Sequence, residues 1–154
     1  MNRIVFFALI CSLFALFSCR DEKQAVPEKE THQTTVTAGA KGDRLTIAVS
    51  VPAGHHAYLD SGKEGVLIPI SIDWKEAIAK KFIQATPRSV AIPDGVQDEQ
   101  MGARVLRGKG DFVYEARFDK LEGQTIKVRS QICDDVKGIC YRPTTQDIPV
   151  VSVK

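Results

Sequence analysis

The chain has 154 residues, with 21 basic and 19 acidic side chains, three histidines and a formal net charge of +2. That near balance, without a clustered basic face, argues against a nucleic-acid footprint, and the length leaves room for one domain with a real core but not two. No Gly-x-Ser-x-Gly elbow is present and the carboxylates show no recognisable pairing, which sets hydrolytic chemistry aside.

The chain opens with Arg3 and an almost unbroken apolar run from Ile4 to Phe17, ending at Ser18-Cys19. The run is too short to span a bilayer as a stable helix and has the charged start, apolar middle and small residue of a secretory signal. Leu16-Phe17-Ser18-Cys19 resembles a bacterial lipoprotein box, in which the cysteine becomes the lipidated first residue, although Phe17 stands where a small residue is usual. Residues 1–18 are therefore expected to be a lipoprotein-type signal peptide and Cys19 the lipidation site. The alternative is an ordinary signal peptide or an uncleaved anchor. The expected location is exported and lipid-anchored to a bacterial membrane, with the domain facing the periplasm or cell exterior.

Loss of residues 1–18 removes Arg3 and Cys11 and leaves 20 basic against 19 acidic side chains. Residues 19–33 mix charges with Pro27 and lack apolar periodicity, so they read as a polar tether. The domain proper is expected over 34–154.

From there the dominant period is two. Thr34 to Ala38 suits a first strand. Leu45, Ile47, Val49 and Val51 share one side of a second segment; Ile68, Ile70, Ile72 and Trp74 repeat the pattern, with Pro69 pointing to an edge or bulge. Trp74, Ile78 and Phe82 stand at i, i+4 and i+8, which predicts a short helix or helical turn. Phe112, Tyr114, Ala116 and Phe118 alternate again, as do Ile126, Val128, Ser130 and Ile132, and Ile148 to Val153 supplies a last strand. Gly- and Pro-containing turns separate these runs. The pattern predicts an all-β, antiparallel sandwich with at most a short helix.

Cys133 and Cys140 flank a Gly138-containing loop just before the last strand. They are the cysteines left in the exported domain, and in an oxidising compartment a lone pair is expected to form a disulfide. So small a ring adds roughly 2–3 kcal/mol on the chain-entropy estimate, which suits a structural bond as well as a redox one. Lys137 would favour a nearby thiolate; Asp134 and Asp135 would oppose it. A metal site using both cysteines and a histidine is disfavoured, because the spacing exceeds that of paired zinc ligands and a second ligand pair is missing.

Further motifs extend beyond the cysteines: Gly54-His-His-Ala-Tyr58, Ile92-Pro-Asp-Gly-Val96, Asp98-Glu-Gln-Met-Gly102, Gln131-Ile-Cys133, Gly138-Ile-Cys140-Tyr141 with Pro143, and Ile148-Pro-Val150. In this order, from about Leu45 to the end, they resemble the N-terminal periplasmic domain of the thiol:disulfide interchange protein DsbD. The resemblance implies an immunoglobulin-like sandwich that relays electrons. The donor is a thioredoxin-like protein; the recipients are exported thiol proteins of the disulfide-isomerase or cytochrome c maturation type. It implies protein-disulfide reductase activity without metal or organic cofactor. Cys140 would form the mixed disulfide and Cys133 would resolve it. The alternative is a non-enzymatic lipoprotein binding or scaffold domain with a structural disulfide.

The same resemblance assigns Asp98, Glu99, Gln100 and Met101 to a cap loop over the cysteines, with Gln100 and Met101 where the family has an aromatic ring; otherwise they form a polar turn. Tyr58 and Tyr141 fall beside the disulfide. His56 shares a face with Tyr58 and could donate a proton or stabilise a thiolate, or simply end a strand, while His55 must point the other way. The cysteine spacing is one residue longer than in the best-known members, and Arg142 stands where a second proline is common. A stand-alone version of the domain needs a separate electron donor.

Overall fold

A computed structural model of the chain describes residues 32–118 and 123–153. The expected signal peptide, Cys11, the lipidation site Cys19 and most of the tether lie outside the described residues. Among those described, no helix is long and apolar enough to cross a membrane.

The alternation predicted from sequence builds the larger sheet. In β2 (Arg44–Ser50) Leu45, Ile47 and Val49 are buried while Arg44 is exposed, because successive side chains on a pleated strand point to opposite faces. β2 lies between β1 (Thr35–Lys41) and β8 (Lys109–Glu115), with Ile47 opposite Ala38 on one side and Phe112 on the other. β4 (Ser71–Asp73), β5 (Arg88–Ala91), β9 (Thr125–Ser130) and β12 (Thr144–Ser152) complete seven strands in the order β4-β9-β12-β1-β2-β8-β5. Among the described strand pairs, β1 and β12 alone run parallel, Ala38 opposite Val150. Pro69 lies two residues before the outermost strand β4, outside its ladder, where a missing N–H does least harm.

The smaller sheet has five strands, in the order β11-β10-β3-β7-β6: β3 (His55–Tyr58), β6 (Val96–Asp98), β7 (Ala103–Leu106), β10 (Ile132–Asp134) and β11 (Ile139–Cys140). Ala57, Leu106 and Ile132 from this sheet join Leu45, Ile47, Val49, Phe112, Ile126, Val128, Ile148 and Val150 in one buried cluster. The architecture is therefore the all-β sandwich with one short helix. Each large aliphatic side chain so buried contributes about 1.5–3 kcal/mol against exposure. The strands without a clear apolar alternation are those the sequence did not announce. β5 and β6 are exposed or nearly so along their length and lie at sheet edges.

Gln131 is where the chain changes sheets. The run Ile126, Val128, Ser130, Ile132 reads as one strand, but β9 belongs to the larger sheet and β10 to the smaller. The stripe stays unbroken because both sheets turn their inner faces to the same core: all four residues are buried. After β11 the chain returns as β12, which pairs with β9, Ser130 opposite Thr144. The β10–β11 hairpin is thus the tip of the β9–β12 hairpin, carried over into the smaller sheet beside β3.

The predicted helical turn is α1 (Lys75–Ala79), flanked by buried Trp74 and Phe82. Trp74 meets Tyr114 edge to face, with centroids 5.0 Å apart. The helix stops where Phe82 N–H bonds Ala77 O at 3.2 Å and Lys81 N–H bonds Ile78 O at 2.9 Å. This Schellman arrangement puts Lys81 in the left-handed region, φ 59°, where glycine is the favoured residue. Lys81→Gly is expected to raise stability by roughly 1 kcal/mol, read as a higher urea midpoint; Lys81→Val should lower it.

Candidate functional site

The antiparallel β10–β11 ladder sets Cys133 directly opposite Cys140. Their sulfurs form a disulfide, S–S 1.98 Å, with Cα atoms 3.9 Å apart. The two ends differ in access. Cys133 is 2% exposed, whereas Cys140 is exposed on the two-residue strand at the sheet edge.

Asp134 shapes the loop between them. Its Oδ1 accepts from Val136 N–H at 2.9 Å and Lys137 N–H at 2.8 Å, the side-chain mimic of a backbone turn that aspartate favours. Its Oδ2 accepts from Tyr141 Oη–H at 3.2 Å and lies 3.2 Å from Lys137 Nζ. Gly138, at φ 64°, closes the turn in a conformation that suits glycine, with its N–H on Asp134 O at 2.9 Å. The Lys137 backbone N–H leads the contacts that hold the Asp134 carboxyl far below the usual carboxylate range. The Lys137 ammonium, Val136 N–H and Tyr141 hydroxyl add to it, together outweighing burial. Lys137 is therefore engaged by Asp134, not directed at a sulfur as its position in sequence had suggested.

Partners across a ladder share a face. Cys140, Cys133 and His56 lie in register across β11, β10 and β3, so they form one row. Two residues along β3, Tyr58 opposes Val105 of β7, which opposes Val96 of β6, and Asp98 opposes Ala103. This face points away from the main core, since Ala57, Ile132 and Leu106 occupy the alternate positions. The sheet thus brings Cys133, Cys140, His56, Tyr58 and Asp98 onto one surface. His56 and Tyr58 meet edge to face at 5.1 Å. Burial, then the Asp98 charge, raises the Tyr58 hydroxyl above its ordinary value, so it stays protonated.

His55 points the other way, as the period required. Its Nδ1 is 3.0 Å from Ala53 O and its Nε2 3.9 Å from Asp134 Oδ2. Tyr141 lies on that side too, stacked on His32 with centroids 3.8 Å apart, and its N–H bonds Ile132 O at 2.9 Å.

Asp98, Glu99, Gln100 and Met101 form the end of β6 and the turn to β7, where Asp98 Oδ1 accepts from Met101 N–H at 3.1 Å. The apolar surroundings of Cys133 come from Tyr58, Ala103 and Val105, with Leu67 packed against them. Gln100 and Met101 are not part of this cluster, but with Leu67 they line a neighbouring pocket of about 270 Å³. Leu67 was not anticipated; the sequence signal was the apolar pair Val66-Leu67 set among turn-forming residues. Arg107 was also missed. It binds Asp135, whose other oxygen lies 2.6 Å from His56 Nδ1. Burial raises the Asp135 carboxyl, but the bonds from His56 and Arg107 outweigh it and hold the group below the usual range.

Among the described residues, no group of three His, Cys, Asp or Glu side chains could hold a metal ion. A group with a depressed pKa contributes stability that is present above its unfolded value and lost as pH falls through its folded value. Asp134→Ala should therefore lower the melting temperature at neutral pH by several degrees. Asp134→Asn, which keeps an acceptor for the two N–H groups, should lower it less. Both differences should shrink in strong acid, below the ordinary carboxylate range; a difference independent of pH would contradict the role of the charge.

The family model described as "Thiol:disulfide interchange protein DsbD, N-terminal" matches residues 22–152. No curated protein matches the chain. Among solved structures, the chain is similar to the reduced DsbD N-terminal domain of Neisseria meningitidis. The identity is 18% and the TM-score 0.44, covering 75% of this chain and 84% of that one. It is also similar to a structure of the complex between the DsbD N-terminal and PilB N-terminal domains from the same organism. Here the identity is 12% and the TM-score 0.42, with 81% and 86% covered. On the span of the family model, the chain belongs to the family of DsbD N-terminal thiol:disulfide interchange domains.

Proposed function

We propose that this domain relays electrons between thioredoxin-fold partners through the Cys133–Cys140 pair, as an exported protein held to the membrane by lipid on Cys19. The observation that carries the reading is the difference in access between the two sulfurs: Cys140 exposed at a sheet edge, Cys133 2% exposed beside it. An incoming thiolate must approach a disulfide sulfur in line with the bond, and an exposed edge strand leaves that approach open at Cys140. Cys133, held opposite by the ladder, then resolves the mixed disulfide. Family membership supports the exchange chemistry. The electron donor is a thioredoxin-like protein, and the recipients are exported thiol proteins of the disulfide-isomerase or cytochrome c maturation type. The turn Asp98–Met101, acting with Leu67, serves as the cap that a docking partner displaces.

Cys133→Ser should accumulate mixed disulfides with thioredoxin-fold proteins through Cys140, while Cys140→Ser should accumulate none; equal trapping by both would remove the assignment. A glutathione titration of the compact Thr31–Lys154 unit should place the pair between about −180 and −270 mV. A value below about −300 mV would mark a bond built to stay closed and favour a scaffold lipoprotein with a structural disulfide. Cys19→Ala should move the protein from the membrane fraction to the soluble one, and retention at the membrane would refute lipid anchoring at that residue.

A further inference from the structure

With the disulfide closed, the site contains a buried nitrogen that has nothing to bond. His56 Nε2 is shielded from solvent and has no hydrogen-bond partner in the protein, an arrangement that carries a free-energy penalty. The rest of the ring is tightly held. Nδ1 lies 2.6 Å from Asp135 Oδ1; facing a carboxylate, it carries the hydrogen and donates, which leaves Nε2 as a lone-pair acceptor. Arg107 binds the other oxygen of Asp135, so the carboxylate that orients the ring is itself fixed. The groups facing His56 are thus Asp135 and Arg107 at one end, the Tyr58 ring at 5.1 Å with Asp98 acting on its hydroxyl, and Cys133 directly opposite on β10. Opposed residues of an antiparallel pair hold their Cβ atoms about 4.5–5.5 Å apart on the same face.

A disulfide sulfur bears no proton. Cys133 can offer Nε2 a hydrogen only when the pair is open. We propose that His56 is the proton acceptor for Cys133 in the resolving half of the exchange, with Asp135 and Arg107 as positioning residues. This rests on the relay reading above and adds the proton path to it. In the forward direction, Cys140 thiolate attacks a partner's disulfide. One partner sulfur leaves as thiolate and Cys140 Sγ is joined to the other. Cys133 Sγ–H then gives its proton to His56 Nε2, and the resulting thiolate attacks Cys140 Sγ. The bond from Cys140 to the partner breaks, its electron pair leaves on the partner sulfur, and the Cys133–Cys140 bond forms. Two electrons have passed from the cysteine pair to the partner's disulfide, which is the oxidant. The imidazolium, neutralised by Asp135, releases its proton to solvent. When a partner dithiol reduces the domain, the same ring returns a proton to Cys133.

Dithiobis(nitrobenzoate) separates the two halves. The full chain carrying Cys11→Ser and Cys19→Ser has Cys133 and Cys140 as its thiols. Once reduced and mixed with the reagent, it should release one thionitrobenzoate as Cys140 is capped and a second as Cys133 resolves. His56→Gln should slow the second release at neutral pH by at least about tenfold and leave the first within a factor of about two, because the acceptor serves Cys133 alone. Its second phase should recover as pH rises into the range where a free thiol ionises on its own. Asp135→Asn leaves the imidazole in place and should shift the same pH profile by a smaller amount. It decides the matter if His56→Gln does not melt like the parent. Second phases unchanged in both variants, or both phases slowed equally, would overturn the assignment. A parent protein that reacts in no second phase would sink the relay itself, and His56 with it.

Discussion

The site depends on a hairpin that changes sheets without changing its inward stripe. Ile126, Val128 and Ser130 face the core from β9, and Ile132 faces the same core from β10. Because both sheets bury one face against a common interior, the chain can leave one and enter the other with its alternation intact, provided the crossing residue has its polar groups met. Gln131 supplies part of that, with its Nε2 donating to Tyr141 O at 2.9 Å. Beside the crossing, Thr34 and Ser130 hydroxyls share a buried bond of 3.0 Å. The stem of the hairpin is thus anchored in the larger sheet while its tip is free to carry the cysteines at the outer edge of the smaller one.

Two adjacent aspartates divide the work at that tip. Asp134 turns inward to the loop it caps and to Tyr141; Asp135 turns to His56 and Arg107. Read as bare charges, both would raise the free energy of a thiolate nearby. In the fold each is met by cations and donors: Lys137 for the first, Arg107 and His56 for the second. The field at the sulfurs is therefore set by neutralised clusters, not by two free anions. What remains is asymmetric: a hydrogen-bonded cap on one side of the hairpin and, on the face that carries the sulfurs, the imidazole of His56.

Much of the architecture was legible because burial and strand period coincide. Leu45, Ile47 and Val49 or Phe112 need no more than alternation to be placed. The opposite directions of His55 and His56 followed from the same rule. β6 escaped because Val96–Asp98 lies at an edge and buries no face, and β5 for the same reason. The sheet change at Gln131 was invisible because the inward stripe does not register it. The contacts that organise the site were beyond reach for another reason. His56 and Asp135 are 79 residues apart, and Arg107 and Asp135 are 28 apart. Neither pairing leaves a periodic trace, so the ladder between β3 and β10 had to be known before the imidazole could be set beside Cys133.

The in-register pairing of Cys133 and Cys140 also governs time. Neighbouring backbone bonds hold the hairpin: Tyr141 N–H to Ile132 O at one end and Gly138 N–H to Asp134 O at the other, each 2.9 Å. Neither requires the sulfur–sulfur bond. After reduction the second thiol is still held beside the first, at an effective molarity far above that of any thiol in solution. In the proposed relay, a covalent complex with a partner would therefore be short-lived by construction. Its dwell time would be set by how soon the captive thiol ionises, leaving small-molecule thiols little opportunity to intercept the adduct.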